Sequence, residues 1–220
     1  MTIQTMVTLL CEGFLTTLAI FMLTLVGSLP LGLLVYFGKK SRFAPLRWVV
    51  NVYISIMRGT PLILQLMVVY FGPNLLFGLT PPSNWRFLAV IVGFIINYAA
   101  YFAEIYRGGI ESIPVGQYEA AEVLGYTKSQ TFVKIILPQM VKRVMPSVTN
   151  EVITLVKDTS LARIIALQEI IWAGQAFMKG SQGISGAIWP LFFTGLYYLV
   201  WNGILSWLLG KLEQKLDYFR

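Results

Sequence analysis

The sequence predicts an all-α integral membrane protein, and three observations support this fold class. Of the 220 residues, 56% are hydrophobic and 12% are charged, whereas soluble domains average about 25% charged residues. The mean hydropathy is +0.69. Apolar runs long enough to cross a bilayer alternate with short basic segments. We therefore expect one transmembrane domain, residues 1–220, with five helical crossings.

The first crossing is predicted at residues 14–37, which contain no charged residue and can span a hydrocarbon core of about 30 Å. Gly27 and Pro30 lie inside this run. Membrane helices tolerate both residue types, and small residues let a second helix approach closely. We interpret this segment as a packing surface, with a gating hinge as the alternative.

The second and third crossings are predicted at residues 60–76 and 85–106. An amphipathic segment precedes the second crossing, and we expect Trp48 and Tyr53 to lie in it at the level of the lipid headgroups. Near the inner end of the third crossing, Glu104 and Arg107 are three residues apart. They should form an ion pair, because side chains at this spacing lie on one helical face.

The fourth crossing is predicted at residues 144–166, inside a stretch that is too long and too charged for one straight span. A break at Asp158-Thr159-Ser160 would resolve both difficulties, because these residue types cap helix N-termini. Transporters line substrate sites with such interrupted helices. The fifth crossing is predicted at residues 187–209, and a charged tail follows it.

The distribution of basic residues predicts the orientation. The expected outer segments hold two of them, Arg86 and Lys179. The expected inner segments hold twelve: Lys39, Lys40, Arg42, Arg47, Arg107, Lys128, Lys134, Lys142, Arg143, Lys211, Lys215 and Arg220. Lys and Arg are enriched in cytoplasmic loops, so we expect the N-terminus outside and the C-terminus inside.

Composition also excludes several functions. With no His and one Cys, the chain has no material for a disulfide, a Cys/His metal site or a nucleophile with a histidine base. The net charge of +7 comes from short segments without aromatic interleaving, which argues against nucleic-acid binding. Gly32 and Gly38 are separated by five residues and Lys40 follows Lys39, so the phosphate-loop spacing is not met. We expect no enzyme activity and no cofactor in this chain.

The most polar segment between the apolar runs, residues 112–138, is called the elbow below. Strong helix formers precede Gly125, which can adopt the left-handed conformation that ends a helix. Thr127-x-x-Gln130 fits a capping box for a second short helix, and Pro138 is expected to end that helix. The elbow should therefore be two short cytoplasmic helices joined at Gly125.

The elbow resembles a known motif. Glu119-Ala120-Ala121, then Gly125, Ile135 and Leu137-Pro138 at their spacing, are similar to the EAA motif in the membrane permease subunits of ABC importers. Three further stretches, 58–62, 103–110 and 150–161, resemble the polar amino acid branch of that family. Together these motifs cover residues 58–170.

The resemblance implies a role and a set of partners. The elbow would be a coupling-helix pair that docks on an ATPase, through Glu119, Ala120, Ala121, Gly125, Leu137 and Pro138. The implied partners are two ATPase subunits that bind ATP and Mg, a second permease copy or a sister permease, and an extracytoplasmic solute-binding protein. The chain would move a polar amino acid through the bacterial cytoplasmic membrane by alternating access, as a multi-pass protein in contact with lipid.

Polar residues at mid-depth are candidates for the substrate pathway, because such side chains are costly in lipid. They are Gln65, Asn97, Tyr101, Glu151, Asp158, Thr159 and Ser160. A substrate ammonium or cationic side chain would be attracted to Asp158 or Glu151, and its carboxylate to a helix N-terminus after Asp158. The alternative is that Glu151, Lys157 and Asp158 neutralise one another or a neighbouring subunit.

Two other functions compete with this interpretation. A secondary transporter or channel would use the intramembrane charges as an ion relay and need no ATPase, but it would leave the elbow unexplained. A membrane scaffold or sensor would need no polar residues at mid-depth. Uptake that depends on nucleotide or on an ion gradient distinguishes the two transport hypotheses.

Overall fold

The computed structural model describes residues 3–180 and 184–216, and the regular structure in those ranges is helical. The tail beyond Leu216, with Arg220 of the charge count, lies outside the described residues. The α-helices are α1 (Ile3–Lys39), α2 (Ala44–Gly59), α3 (Leu62–Phe77), α4 (Trp85–Glu111), α5 (Val115–Val123), α6 (Lys128–Thr131), α7 (Leu137–Asp158), α8 (Ile170–Gly180) and α9 (Ile184–Leu216). A π-helical turn occupies Phe132–Ile136, and a 3-10 segment occupies Thr159–Ile165.

Helices α1 and α4 pack side by side and run in the same direction. A Cβ at Gly27 would overlap the Ile95 side chain, and one at Gly32 would lie 2.8 Å from Phe102 Cβ. Residues further along α1 therefore contact residues further along α4, as expected for parallel helices. The absence of a side chain at these glycines allows the close approach, which confirms the packing interpretation of the first span.

Helix α3 runs antiparallel to α4. Trp85 at the start of α4 donates from Nε1 to the Tyr70 carbonyl at 3.0 Å, whereas Gln65 near the start of α3 meets Asn97 further along α4. Helices α2 and α3 form one bent pair with an angle of 111° between them. Helices α1 and α4 are thus parallel, and α3 is antiparallel to both.

Three helices are long and apolar enough to cross a membrane among the described residues, and a fourth crossing is possible if the bent α2–α3 pair counts as one. The three are α1, α4 and α9, which contain the predicted spans 14–37, 85–106 and 187–209. Helix α7 holds the first part of the predicted span 144–166 and is not among them, because five of its 22 residues are charged: Lys142, Arg143, Glu151, Lys157 and Asp158.

The predicted break after α7 is present, but the capping prediction is wrong. Helix α7 ends at Asp158, and a seven-residue 3-10 segment follows it. Asp158 makes no side-chain cap. The hydroxyls of Thr159 and Ser160 instead donate backwards, to the carbonyls of Val156 and Lys157, each at 2.7 Å. They satisfy the end of α7 and do not begin a new helix, so no N-terminus for a substrate carboxylate forms there.

The prediction that Pro138 ends the second elbow helix is also wrong. The chain remains helical from Phe132 through the π-helical turn into α7, and Pro138 occupies the first turn of α7. Proline is tolerated in a first helical turn, where a backbone N–H has no intrahelical partner. The elbow is thus continuous with α7.

Candidate functional site

The first half of the elbow ends in a left-handed turn. Helix α5 stops at Val123, and Gly125 has φ +75°. The Gly125 N–H donates to the Glu122 carbonyl at 2.9 Å, and the Tyr126 N–H donates to the Ala121 carbonyl at 3.0 Å. A Cβ at Gly125 would meet nothing within 4 Å, so glycine is favoured by its backbone conformation alone. The predicted glycine turn is confirmed.

The second half begins with the predicted capping box. The Gln130 N–H donates to Thr127 Oγ1 at 3.3 Å, and the Thr127 N–H donates to Gln130 Oε1 at 2.9 Å. Two N–H groups that the short helix α6 would leave unpaired therefore have partners. This reciprocal pair fixes the direction in which the chain leaves the Gly125 turn.

The six residues of the elbow that are predicted to dock on an ATPase differ in exposure. Glu119, Ala120, Gly125 and Pro138 are exposed, Leu137 is half-buried and Ala121 is buried. The exposed members are available to a partner. The buried Ala121 lies inside the elbow, where its small side chain allows α5 to pack closely.

Sequence reasoning missed an apolar surface at the end of the elbow. We call it the apolar tip and define it as Val123, Leu124, Tyr126 and Val133. Val123 is 89% exposed and Leu124 is 72% exposed. Apolar patches on an otherwise polar surface commonly mark interaction sites. The signal was present as apolar residues within a polar segment, but the exposure depends on how the two halves of the elbow fold.

The base of the elbow is packed firmly against helices α4 and α7. Ile113, Ile136, Met140 and Val144 form a buried cluster. Arg143 Nη1 also donates to the Ser112 carbonyl at 2.7 Å. A Cβ at Gly109 of α4 would collide with Val144 of α7. Because of this packing, a displacement of the elbow must move α4 and α7 as well.

A charge cluster lies beside the elbow and joins three helices. Arg107 Nη2 lies 2.8 Å from Glu104, as predicted. Lys39 of α1 also pairs with Glu104, and Arg58 of α2 lies 3.6 Å from it. Glu111 accepts from Lys40 at 2.8 Å and from Arg107 at 2.5 Å. The i, i+3 pair was visible in the sequence, whereas the tertiary partners were not.

The predicted pathway residues Gln65 and Asn97 meet at the break between α2 and α3. Asn97 Nδ2 donates to Gln65 Oε1 at 2.9 Å and to the Met57 carbonyl at 3.0 Å. Gln65 Nε2 donates to the Met57 and Thr60 carbonyls at 3.0 and 3.1 Å. These carbonyls are freed by the break and need donors in a membrane. In this conformation both amides thus bind the backbone and each other, and a substrate role for them stays a prediction.

A second pair links α4 to the end of α7. The Tyr98 hydroxyl donates to Asp158 Oδ2 at 2.7 Å, although Tyr98 was not among the predicted residues. Tyr101 lies under the Arg58 guanidinium, 5.4 Å from ring centroid to Cζ. Thr159 is buried, whereas Glu151 and Ser160 are partly exposed.

The proposed neutralisation within the chain is not seen among the described residues. Glu151, Lys157 and Asp158 form no ion pair with one another there. The same residues, 3–180 and 184–216, contain no group of three or more His, Cys, Asp or Glu side chains that could hold a metal ion.

Glu169 is a buried carboxylate whose position the sequence did not reveal. It lies before α8, outside the candidate spans, and accepts hydrogen bonds from the N–H groups of Ile171 and Trp172, both at 2.8 Å. It is fully buried. Burial raises the pKa of Glu169 to about 7, against the two N–H groups and Arg163, which favour the charged form. Glu169 therefore supplies the helix cap that we had expected at Asp158.

This chain is similar in sequence to known transport proteins. The arginine transport system permease protein ArtQ of Bacillus subtilis (strain 168) is 37% identical over 205 residues, 93% of this chain and 91% of that protein. The glutamine transport system permease protein GlnP of Escherichia coli (strain K12) is 35% identical over 215 residues, covering 94% and 93%.

Two solved structures extend the likeness to three dimensions. A crystal structure of an amino acid ABC transporter with histidines has a TM-score of 0.86 at 30% identity and covers 95% of this chain and 94% of that chain. The inward-facing MetNI methionine ABC transporter shares the fold, with a TM-score of 0.74 at 20% identity and coverage of 99% and 100%. A family profile for the binding-protein-dependent transport system inner membrane component matches residues 28–218. The chain therefore belongs to this family of inner membrane transport components.

Proposed function

We propose that this chain is the permease subunit of an ATP-driven importer for polar amino acids and that the elbow couples it to an ATPase. The observation that carries the proposal is the apolar tip, displayed beside the exposed Glu119 on a segment packed against α4 and α7. Relatives named for arginine, glutamine and cystine transport support the substrate class.

The coupling step follows from the packing of the elbow. The apolar tip enters a groove on the ATPase, and Glu119 meets a basic side chain there. Gly125 keeps the turn compact, and the exposed Ala120 and Pro138 with Leu137 complete the docking surface. ATP and Mg bind to the ATPase. Closure of two ATPases draws two elbows together, and the base of each elbow passes this movement to α4 and α7. Alternating access results, with no covalent chemistry in the permease.

The proposed topology has five crossings in one domain, with the N-terminus outside and the C-terminus inside. The parallel arrangement of α1 and α4 supports three crossings in α1, α3 and α4. The remaining two are α7 with the 3-10 segment after it, and α9. The excess of Lys and Arg in the inner segments supports the orientation. A second permease copy or a sister subunit completes the pathway, and an extracytoplasmic binding protein delivers the substrate.

We assign the substrate pathway to the region around Asp158. Its carboxylate is held by Tyr98 and forms no ion pair among the described residues, although the adjacent Lys157 contributes a positive charge nearby. It is therefore able to attract a substrate ammonium or guanidinium group, with Glu151 as a second acidic group nearby. Tyr101 and Ser160 add polar contacts on this pathway.

The decisive experiment changes the elbow surface without touching the bilayer helices. Glu119→Lys combined with Gly125→Asp should abolish ATP-dependent uptake in reconstituted vesicles and weaken co-purification of the ATPase, while the protein still inserts. The matched control is Glu213→Lys with Gly210→Asp at the end of α9, which makes the same changes away from the elbow. Normal uptake by the elbow variant would contradict the coupling role. Uptake that follows an ion gradient without nucleotide would favour the secondary transporter.

A further inference from the structure

Arg58, near the end of α2, has hydrogen-bonding capacity that the described residues do not use. Its guanidinium lies 3.6 Å from a Glu104 oxygen, which is longer than the roughly 2.7–3.2 Å of a hydrogen bond. That carboxylate already accepts hydrogen bonds from Lys39 and Arg107. Arg58 donates no hydrogen bond among the described residues, so its N–H groups remain available to a ligand.

The charge cluster around Arg58 has a positive excess. Each of its other cations donates a hydrogen bond to a carboxylate. The Arg58 side chain does not, and it is 44% exposed. An anion that approaches the cluster therefore meets Arg58. The cluster contains two carboxylates and four cations, which are Glu104, Glu111, Lys39, Lys40, Arg58 and Arg107.

Two tyrosines of α4 connect Arg58 to the carboxylate that we assign to the substrate pathway. The Tyr101 ring lies 5.4 Å from Arg58 Cζ, between centroid and atom, and this cation–π contact orients the guanidinium. The centroids of the Tyr101 and Tyr98 rings are 6.2 Å apart. The Tyr98 hydroxyl in turn donates to Asp158. Arg58 thus belongs to the same region as Asp158, although the two form no ion pair.

Both acidic residues of α7 in this region lie on one face of the helix. Glu151 and Asp158 are seven residues apart, which is close to two turns and about 10 Å along the axis. Glu151 interacts electrostatically with Arg58 as well as with Asp158. Lys157 is the other cation close to Asp158, but adjacent residues project about 100° apart on a helix, and its side chain is exposed. Arg58 is therefore the cation that faces both carboxylates.

The region has opposite charges at its two ends. Val144 of α7 meets Gly109 of α4 near the elbow. Asp158 of α7 meets Tyr98, earlier in α4, so the two helices are antiparallel. Arg58 lies beside residues of α4 between these two levels. Its guanidinium is therefore on the elbow side of Asp158, with the positive group at one end of the region and the negative group at the other.

An α-amino acid needs a positive group for its carboxylate as well as a negative group for its ammonium. The sequence predicted that a helix N-terminus after Asp158 would bind the carboxylate, but the hydroxyls of Thr159 and Ser160 close the end of α7 instead. Arg58 supplies the missing positive group. A guanidinium binds a carboxylate in a bidentate manner, with geometry that an ammonium cannot reproduce.

We propose that Arg58 binds the α-carboxylate of the transported amino acid and is a specificity-determining residue of this chain. The α-ammonium lies beside Glu151, and the substrate side chain extends past the two tyrosines towards Asp158. This inference rests on the proposed function, because it assigns the orientation of the substrate within the pathway of an amino acid importer.

The test compares amino acids with their α-carboxamides, which keep the ammonium and the side chain and lose the negative charge. L-arginine, L-glutamine and L-cystine are the probes, because relatives are named for their transport. Binding is measured on the purified permease–ATPase complex, without binding protein or nucleotide, by displacement of the labelled amino acid. The wild type should bind the acid at least about tenfold more tightly than the amide, since hydrogen bonds to a charged group contribute at least that factor.

Variants separate carboxylate binding from a structural role. Arg58→Gln should bind the acid and the amide equally. Arg58→Lys should keep part of the preference, because it retains the charge without the bidentate geometry. Arg107→Gln removes a hydrogen-bonded cation from the same cluster and should keep the whole preference, as should Lys157→Gln. If Arg58 only held α2 in place, its loss would weaken binding of the acid and the amide to the same extent.

Several results would overturn the assignment and leave the importer function intact, provided that wild-type uptake in vesicles still requires ATP. They are a preference for the acid that survives in Arg58→Gln, equal binding of acid and amide by the wild type, and loss of the preference in Lys157→Gln alone, which would transfer the carboxylate to Lys157. Wild-type uptake that needs no nucleotide, or no binding of any of the three amino acids, would overturn the proposed function together with this inference.

Discussion

Asn97 on α4 donates a 2.9 Å hydrogen bond to the side-chain oxygen of Gln65 on α3. Its second N–H binds the Met57 carbonyl of α2 at 3.0 Å, and the Asn97 side chain is buried. One amide therefore ties three helices together at the 111° bend. Since lipid provides no donors, this amide replaces the intrahelical partner that Met57 lost at the break.

Asn97→Leu should destabilise the protein because it leaves the Met57 carbonyl and Gln65 Oε1 with fewer donors. An unsatisfied buried polar group costs about 1–3 kcal/mol, which corresponds to a fall in melting temperature of several degrees. Thermal unfolding in detergent measures this fall in melting temperature. Asn74→Leu is the control, since its hydrogen bond to the Leu79 carbonyl is exposed and its loss should have a small effect. Equal shifts in the two variants would contradict the structural role of Asn97.

Gly32→Ala should separate α1 from α4. The added Cβ would lie 2.8 Å from Phe102 Cβ and 3.0 Å from the Ala99 carbonyl oxygen. A backbone atom cannot rotate away, so we expect a loss of about 1–3 kcal/mol from overpacking. Gly203→Ala in α9 has nothing within 4 Å of the new Cβ and should be neutral or slightly stabilising. Thermal unfolding compares the melting temperatures of the two variants. A melting temperature of Gly32→Ala equal to that of the wild type would refute the close α1–α4 contact.

Glu169 should make stability fall as the pH rises. Its pKa in the folded protein is raised from the ordinary value of 4.5 to about 7 by burial, so the folded state holds this proton more tightly than the unfolded state. The stabilisation of the folded state by Glu169 is complete below about pH 4.5 and is lost as the pH rises through about 7. The shift corresponds to at most about 3 kcal/mol.

Glu169→Gln tests this dependence, because an amide keeps an oxygen for the α8 N–H groups and does not titrate. Arg163 and Tyr198 are the other titratable groups that interact with Glu169, and both remain in the variant. Melting temperatures at pH 5, 6, 7 and 8 should fall more steeply in the wild type than in the variant. Parallel curves would show that Glu169 is already ionised across this range.

Local rules were enough to predict the turn and cap of the elbow. The left-handed Gly125 turn and the Thr127–Gln130 box depend on residues at most five positions apart, and the Glu104–Arg107 pair depends on one helical turn. These features need no knowledge of the rest of the fold. The three apolar helices could also be found from hydropathy alone, and an alternation of apolar and basic segments suggested the same regions.

Tertiary partners decided the features that sequence reasoning missed. Pro138 stays helical because a π-helical turn precedes it, and no sequence rule indicated that turn. Tyr98 binds Asp158 across 60 positions of the chain. The break after α7 was expected from length and charge. Eleven residues, which include the 3-10 segment, separate the end of α7 from the start of α8, so the residue that caps α8 is Glu169 and not Asp158. The apolar tip arises only when the two halves of the elbow fold against α4 and α7.

Asp158→Asn should weaken uptake of cationic amino acids more than uptake of neutral ones, because it removes a negative charge and keeps the shape of the side chain. We expect about a tenfold change in the ratio of the two uptake rates, equivalent to about 1.4 kcal/mol of selective attraction. Tyr98→Phe is the matched control, since it removes the 2.7 Å hydrogen bond and leaves the Asp158 charge in place. If both variants lower the two rates to the same extent, the pair only holds α4 to the end of α7. A changed ratio in Asp158→Asn alone locates selectivity in the permease itself, where the carboxylate attracts the substrate cation.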